Sequence, residues 1–161
     1  MMVMAVGITS DEMRSLAGQP ERRPIRAPGD MRCLVVSGDG GFRGRLEMVS
    51  ELCDGATCEA PADVATLASA VEGDYQLVIV DIAHPLGDRV NDSVEIAEEF
   101  ASRPGTLLVV CGSEDSVEDE LWARQLGAWV YLPGVSGGDA LVSLFTEARR
   151  AGERRGVMQL V

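Results

Sequence analysis

The sequence has no lysine; all fourteen of its basic residues are arginine. A mechanism that needs an ammonium group therefore cannot draw it from this chain. Histidine is nearly absent too. His84 stands alone, and the four cysteines, Cys33, Cys53, Cys58 and Cys111, form no C-x-x-C pair, so no zinc-ligand pattern exists. There is no G-x-S-x-G, and one histidine without a positioned serine makes no hydrolase triad. No run of about twenty apolar residues occurs, so no membrane span is expected. The opening MMVMAVGITSDEMRSL has a short apolar part with no basic residue ahead of it, unlike a secretory signal. Positive charge is scarce overall: the formal net charge is -12 and the pI about 4.4. That excludes nucleic-acid binding through a basic face and disfavours anionic membranes. Unpaired cysteines fit a reducing cytoplasm.

What is present is enough for one domain: 161 residues, 46% of them hydrophobic. Residues 1–30 read as a flexible leader. QPERRPIRAPGD packs three prolines among Arg22, Arg23 and Arg26, and such a stretch buries too little apolar surface to offset its ordering entropy. Regular structure is expected from Met31, with a folded unit over 31–150 and a tail over 151–161. RCLVVS predicts a strand and GDGG a loop. FRGRLEMVSELC predicts a helix with Phe42, Leu46, Val49 and Leu52 inward. After a short strand candidate at 56–60, ADVATLASAVEG predicts a helix with Val64, Leu67 and Val71 inward. A central strand over 75–80 follows, then the helix VEIAEEFASR and the strand TLLVVC. Ser116 is a candidate N-cap for VEDELWARQL, which Gly127 closes. AWVYL is the last strand. ALVSLFTEARRAGERR is the last helix, with Leu141, Leu144, Phe145 and Ala148 inward and Arg149 and Arg150 near its basic end. Five strands alternating with five helices specify an α/β fold, a doubly wound five-stranded parallel sheet in three layers.

The chain is organised around YQLVIVDIAHPLGD, residues 75–88. Leu77–Val80 is a continuous apolar run, the mark of a strand covered on both faces. It stops at Asp81, where open α/β sheets collect their chemistry, and Pro85 follows four residues later. With LGAWVYLPG, this stretch resembles the receiver domains of two-component response regulators over roughly residues 31–150. The resemblance implies a flavodoxin-like (βα)5 fold with strand order 2-1-3-4-5. It makes Asp81 the phosphoacceptor equivalent, Tyr131 the switch aromatic, and Cys111 the position of the switch hydroxyl, with Ser113 two places beyond. It also locates departures. Receivers carry two acids after the first strand to hold Mg²⁺; here Ser37 and Gly38 stand there and Asp39 falls one place late. Asp39 and Asp81 are thus the only candidate metal ligands, a poor set for a cation that wants octahedral oxygens. The strand-five lysine falls on Gly134 and the following proline on Val135. Phosphoryl transfer rests on positioning and charge neutralisation, so the expectation is an atypical, or pseudo-, receiver. It would lack a cofactor and any catalytic activity of its own, and phosphorylation at Asp81 would be absent or inefficient.

The short stretch after residue 150 leaves no room for a DNA-binding output domain, so output is expected through a protein partner or a homodimer. By resemblance the contact face comprises residues 117–126, 129–132 and 139–150. The competing reading is a small Rossmann-type nucleotide-binding domain. Gly38, Gly40 and Gly44 follow the first strand and Glu59 lies about twenty residues on, but the spacing is G-x-G-x-x-x-G. A cobalamin site fails in spacing and place, since Asp81, His84 and Gly87 read D-x-x-H-x-x-G after the third strand.

Overall fold

A computed structural model describes residues 30–53, 55–87, 90–134 and 138–159. The leader predicted over 1–30 lies outside them except for Asp30. Among these residues five strands alternate with five helices: β1 Met31–Val36, α1 Gly40–Leu52, β2 Ala56–Glu59, α2 Val64–Ala70, β3 Leu77–Asp81, α3 Val90–Ala101, β4 Leu107–Gly112, α4 Val117–Leu126, β5 Val130–Pro133 and α5 Gly138–Gln159. The strands form one parallel sheet in the order β2-β1-β3-β4-β5. The α/β class, the flavodoxin-like topology and the strand order are as the sequence predicts.

Strand side chains alternate between the two faces of the sheet, so two cores form. On one face Cys33, Val35, Ile79 and Val109 meet Phe42, Leu46 and Val49 of α1 and Leu141, Phe145 and Ala148 of α5. On the other, Leu34, Val36, Val80 and Val110 meet Leu67 of α2, Ala97 and Phe100 of α3 and Ala123 of α4. Both central strands, β3 and β4, are buried along their whole length. That is why they read as unbroken apolar runs.

The helix ends are fixed by local chemistry. Asp63 caps α2 by accepting from the Thr66 amide at 2.7 Å. Ser116 caps α4 through the Asp119 amide at 3.2 Å, and Gly127, at φ 96°, closes it in the left-handed conformation that glycine tolerates best. Three expectations need correction. Leu52 is 73% exposed and Val64 50% exposed, although their helical phase marks both as inward. Each sits in the terminal turn of its helix, where the sheet no longer lies beneath. The last helix does not end with the ALVSLFTEARRAGERR stretch at Arg155 but runs to Gln159. Arg149 and Arg150 are therefore interior to it, outside the last turn where a dipole interaction operates.

Candidate functional site

The carboxyl ends of β1, β3, β4 and β5 converge on Asp81, the last residue of β3. Its side chain is buried and fully engaged. Oδ2 accepts from the Ser37 hydroxyl at 2.8 Å and faces His84 Nδ1 at 3.2 Å. Oδ1 accepts from the amides of Ala83 at 3.1 Å and His84 at 3.2 Å. The local reason is an Asx turn: the side chain of a strand-terminal aspartate bonds the backbone two and three residues on and so shapes the loop. The His84 side chain itself is half exposed, with Asp81 on its inner side.

Ser37 stands immediately after β1 and links two acids without making them a pair. Its Oγ accepts from the Asp39 amide at 3.0 Å while donating to Asp81. The Asp39 carboxylate serves elsewhere, as the N-cap of α1, accepting from Gly41 at 2.9 Å and Phe42 at 3.3 Å. Among the described residues, no group of three or more His, Cys, Asp or Glu is placed to hold a metal ion. The pair Asp39 and Asp81 thus does not fit Mg²⁺: one carboxylate is committed to a helix terminus and the other to four protein partners.

Gly38 forms the floor of a close crossing between two loops. Its amide donates to the His84 carbonyl at 2.7 Å, and an added Cβ would lie 2.4 Å from the Pro85 carbonyl oxygen. Gly40 and Gly44 lie inside α1, whose N-terminus the Asp39 carboxylate already occupies. Glu59 bonds Arg32 and the Tyr75 hydroxyl. A pyrophosphate approaching a Rossmann-type glycine loop would meet the capping carboxylate and the Pro85 backbone, so this arrangement disfavours the nucleotide reading.

Cys111 on β4 is in register with Asp81. Its thiol is buried, and burial together with the neighbouring Asp81 pushes its pKa well up, so it stays protonated and a weak donor. Tyr131 on β5 is half-buried; its hydroxyl donates to the Ser113 carbonyl at 3.1 Å. Its ring lies against Gly112, where a Cβ would meet the hydroxyl at 2.2 Å. Burial, then the carboxylates of Asp119 and Glu120, raise the Tyr131 pKa. Gly134 donates its amide to the Gly112 carbonyl at 2.8 Å and has φ +73°. The space a side chain would take there is filled by the Glu114 carboxylate, 2.5 Å from the Cβ position.

Asp81, Ala83, His84, Cys111, Ser113, Glu114, Asp115 and Gly134 line a cleft of about 470 Å³, closed on one side by Phe42. Asp39 and Tyr131 are not among its lining residues. Among the described residues its walls carry three carboxylates and, as a basic group, the His84 imidazole. The structure thus brings together Asp81, Ser37, Cys111 and Gly134 from the predicted set and leaves Asp39 and Tyr131 at the periphery. Sequence reasoning missed two participants. His84 figures in the sequence only as the lone histidine and in a failed cobalamin pattern, although its i,i+3 spacing from Asp81 is visible. Glu114, over the lysine position, left no signal, because only the fold brings the β4–α4 loop to Gly134.

No protein-family model matches the chain, and no curated protein matches it. Solved structures do. A CheY-like response regulator receiver domain protein from Methanospirillum hungatei matches with a TM-score of 0.64 at 21% identity, covering 78% of this chain and 98% of that one. The response regulatory domain of MrkE from Klebsiella pneumoniae matches at 0.62 and 15%, covering 77% and 99%. An orphan response regulator of H. pylori matches at 0.60 and 20%, covering 76% and 98%. At these identities the likeness establishes the fold: the chain has the CheY-like receiver fold.

Proposed function

We propose that the chain is an atypical receiver-like signalling domain that works in the cytoplasm by binding protein and not by turnover, with phosphorylation at Asp81 absent or inefficient. The observation that carries this reading is the engagement of Asp81. Both of its carboxylate oxygens are held by Ser37, His84 and two amides. An attacking carboxylate has to shed these partners, and the cleft supplies little to stabilise the phosphoryl group that replaces them. Glu114 and Asp115 repel an anion, and Gly134 offers no ammonium.

Contact through α4, β5 and α5 is supported by the surface there. Val117 and Leu121, one helical turn apart on α4, are 68% and 53% exposed. They lie beside Glu118, Asp119 and Glu120 in the first turn. An apolar pair within an acidic collar suits a partner, or a second copy, that offers an apolar patch edged with basic residues. The phosphorylation half of the reading is tested with acetyl phosphate and Mg²⁺. Little or no label is expected. Rapid stoichiometric labelling that vanishes in Asp81→Asn overturns it and makes the protein an ordinary phosphorylated receiver.

A further inference from the structure

Away from the Asp81 cleft, a groove of about 290 Å³ runs between α2 and α3. Its floor is apolar, made by Leu67, Val71, Leu86 and Ile96. Among the described residues nothing covers it, for α2 is only seven residues long and leaves Val64 half exposed at the groove's upper end. Its α3 rim is acidic, with Asp92 and Glu95, and with Glu99, which Arg103 already pairs. An apolar floor with one acidic wall fits a segment that alternates aliphatic side chains with arginines, whose stems cover apolar surface while their heads meet carboxylates.

The chain carries such a segment. MRSLAGQPERRPIR, residues 13–26, has Arg14, Arg22, Arg23 and Arg26 against the single acid Glu21, in a protein whose formal net charge is -12. Met13, Leu16 and Ile25 supply apolar groups. The geometry permits the approach. Helices between parallel strands run antiparallel to them, so the C-terminal ends of α2 and α3 lie at the edge of the sheet where β1 begins. Arg103, just past α3, bonds the carbonyls of Val71 and Gly73 there, and Gln76 donates to the Arg32 carbonyl. Arg26 lies five positions before Met31, a reach of up to about 18 Å.

We propose that residues 13–26 of this chain occupy the α2–α3 groove as an intramolecular ligand. Their arginines face the carboxylates of the α3 rim and their aliphatic side chains cover the floor. The tether makes this feasible without tight contacts, since a short flexible linker holds the segment near the groove at an effective concentration on the order of millimolar.

Hydrogen exchange on the full chain tests it. In the triple variant Arg22→Glu, Arg23→Glu, Arg26→Glu, amides of 64–71 and 92–99 should exchange several-fold faster than in wild type, while those of 40–52 stay unchanged. Glu95→Arg should produce the same local loss, and Glu95→Arg combined with Arg23→Glu should recover part of it. Raised salt should erode the wild-type protection, because screening shortens to about 3 Å at 1 M. Unchanged exchange in the groove overturns the proposal, as does acceleration spread evenly over all helices. Protection that grows with protein concentration, with a dimer in sedimentation, also overturns it and assigns the groove to a second copy.

Discussion

The hydroxyl of Ser37 and the carboxylate of Asp81, 44 residues apart in sequence, meet at 2.8 Å with both side chains buried. A position that the resemblance assigns to an acid instead holds a donor aimed at Asp81. Two buried carboxylates repel each other until a cation arrives; a serine beside one carboxylate settles it without a cation.

Asp81 should consequently behave as a structural acceptor. Asp81→Ala leaves the Ser37 hydroxyl and the amides of Ala83 and His84 short of a partner and should cost about 1–3 kcal/mol in urea unfolding. Asp81→Asn keeps an oxygen for the two amides and should cost less than about 1 kcal/mol. The reverse ranking would show that the charge, and not the acceptor geometry, is what the fold requires.

Ser37→Asp should rebuild the missing repulsion. The variant is expected to melt below wild type in the absence of metal, and millimolar Mg²⁺ should raise the Tm of the variant while leaving wild type where it is. Equal Mg²⁺ responses in both proteins would contradict the assignment of Ser37 as the residue that replaces a cation requirement.

Gly134 carries two separable constraints, a positive φ and the Glu114 carboxylate in its side-chain space. Gly134→Ala should destabilise by about 1–2 kcal/mol from backbone conformation alone. The carboxylate adds a smaller share, since a flexible side chain can move aside. In a double-mutant cycle with Glu114→Ala, the coupling energy measures that share. A coupling as large as the whole effect would mean that φ costs nothing here.

Asp63 gives a pH dependence whose sign is fixed. Its bond from the Thr66 amide lowers its pKa below the ordinary carboxylate value. Stabilisation of this kind is fully present above the unfolded value, about 3.9, and is lost as pH falls through the lower, folded value. The Tm advantage of wild type over Asp63→Ala should thus hold from neutral pH to about pH 4 and shrink below it. An advantage that grows on acidification would contradict the cap geometry.

Thiol reactivity should divide by burial. Desolvation raises the pKa of Cys33 and of Cys111, and both are buried, whereas Cys53 and Cys58 are partly exposed. A thiol reagent should modify Cys53 and Cys58 in the native state and reach Cys33 and Cys111 only on unfolding.

Much of this architecture was legible in the sequence because its signals are periodic. LVIV and LLVVC declare strands buried on both sides, and Phe42, Leu46 and Val49 mark the face of α1. Leu52 and Val64 misled for a definite reason: a repeat gives the angular face of a helix but not where the layer beneath it ends. The site was only half legible. Asp81 could be found because it terminates a run. Ser37 as its donor could not, since that contact exists only once β1 and β3 lie side by side, and Asp39 next door carried the stronger chemical signal. The Asp81–His84 contact depends on the course of a loop, which leaves no repeat to read.

The crossing of Gly38 under the His84 and Pro85 carbonyls decides which side of the site is open. A backbone amide makes the bond, and no room remains for even a methyl group. The two loops therefore act as one rigid lip along the β1–β3 side of the cleft. Among the described residues the opposite bank is formed by Ser113, Glu114 and Gly134, so an anion that approaches Asp81 from that side first meets the Glu114 carboxylate.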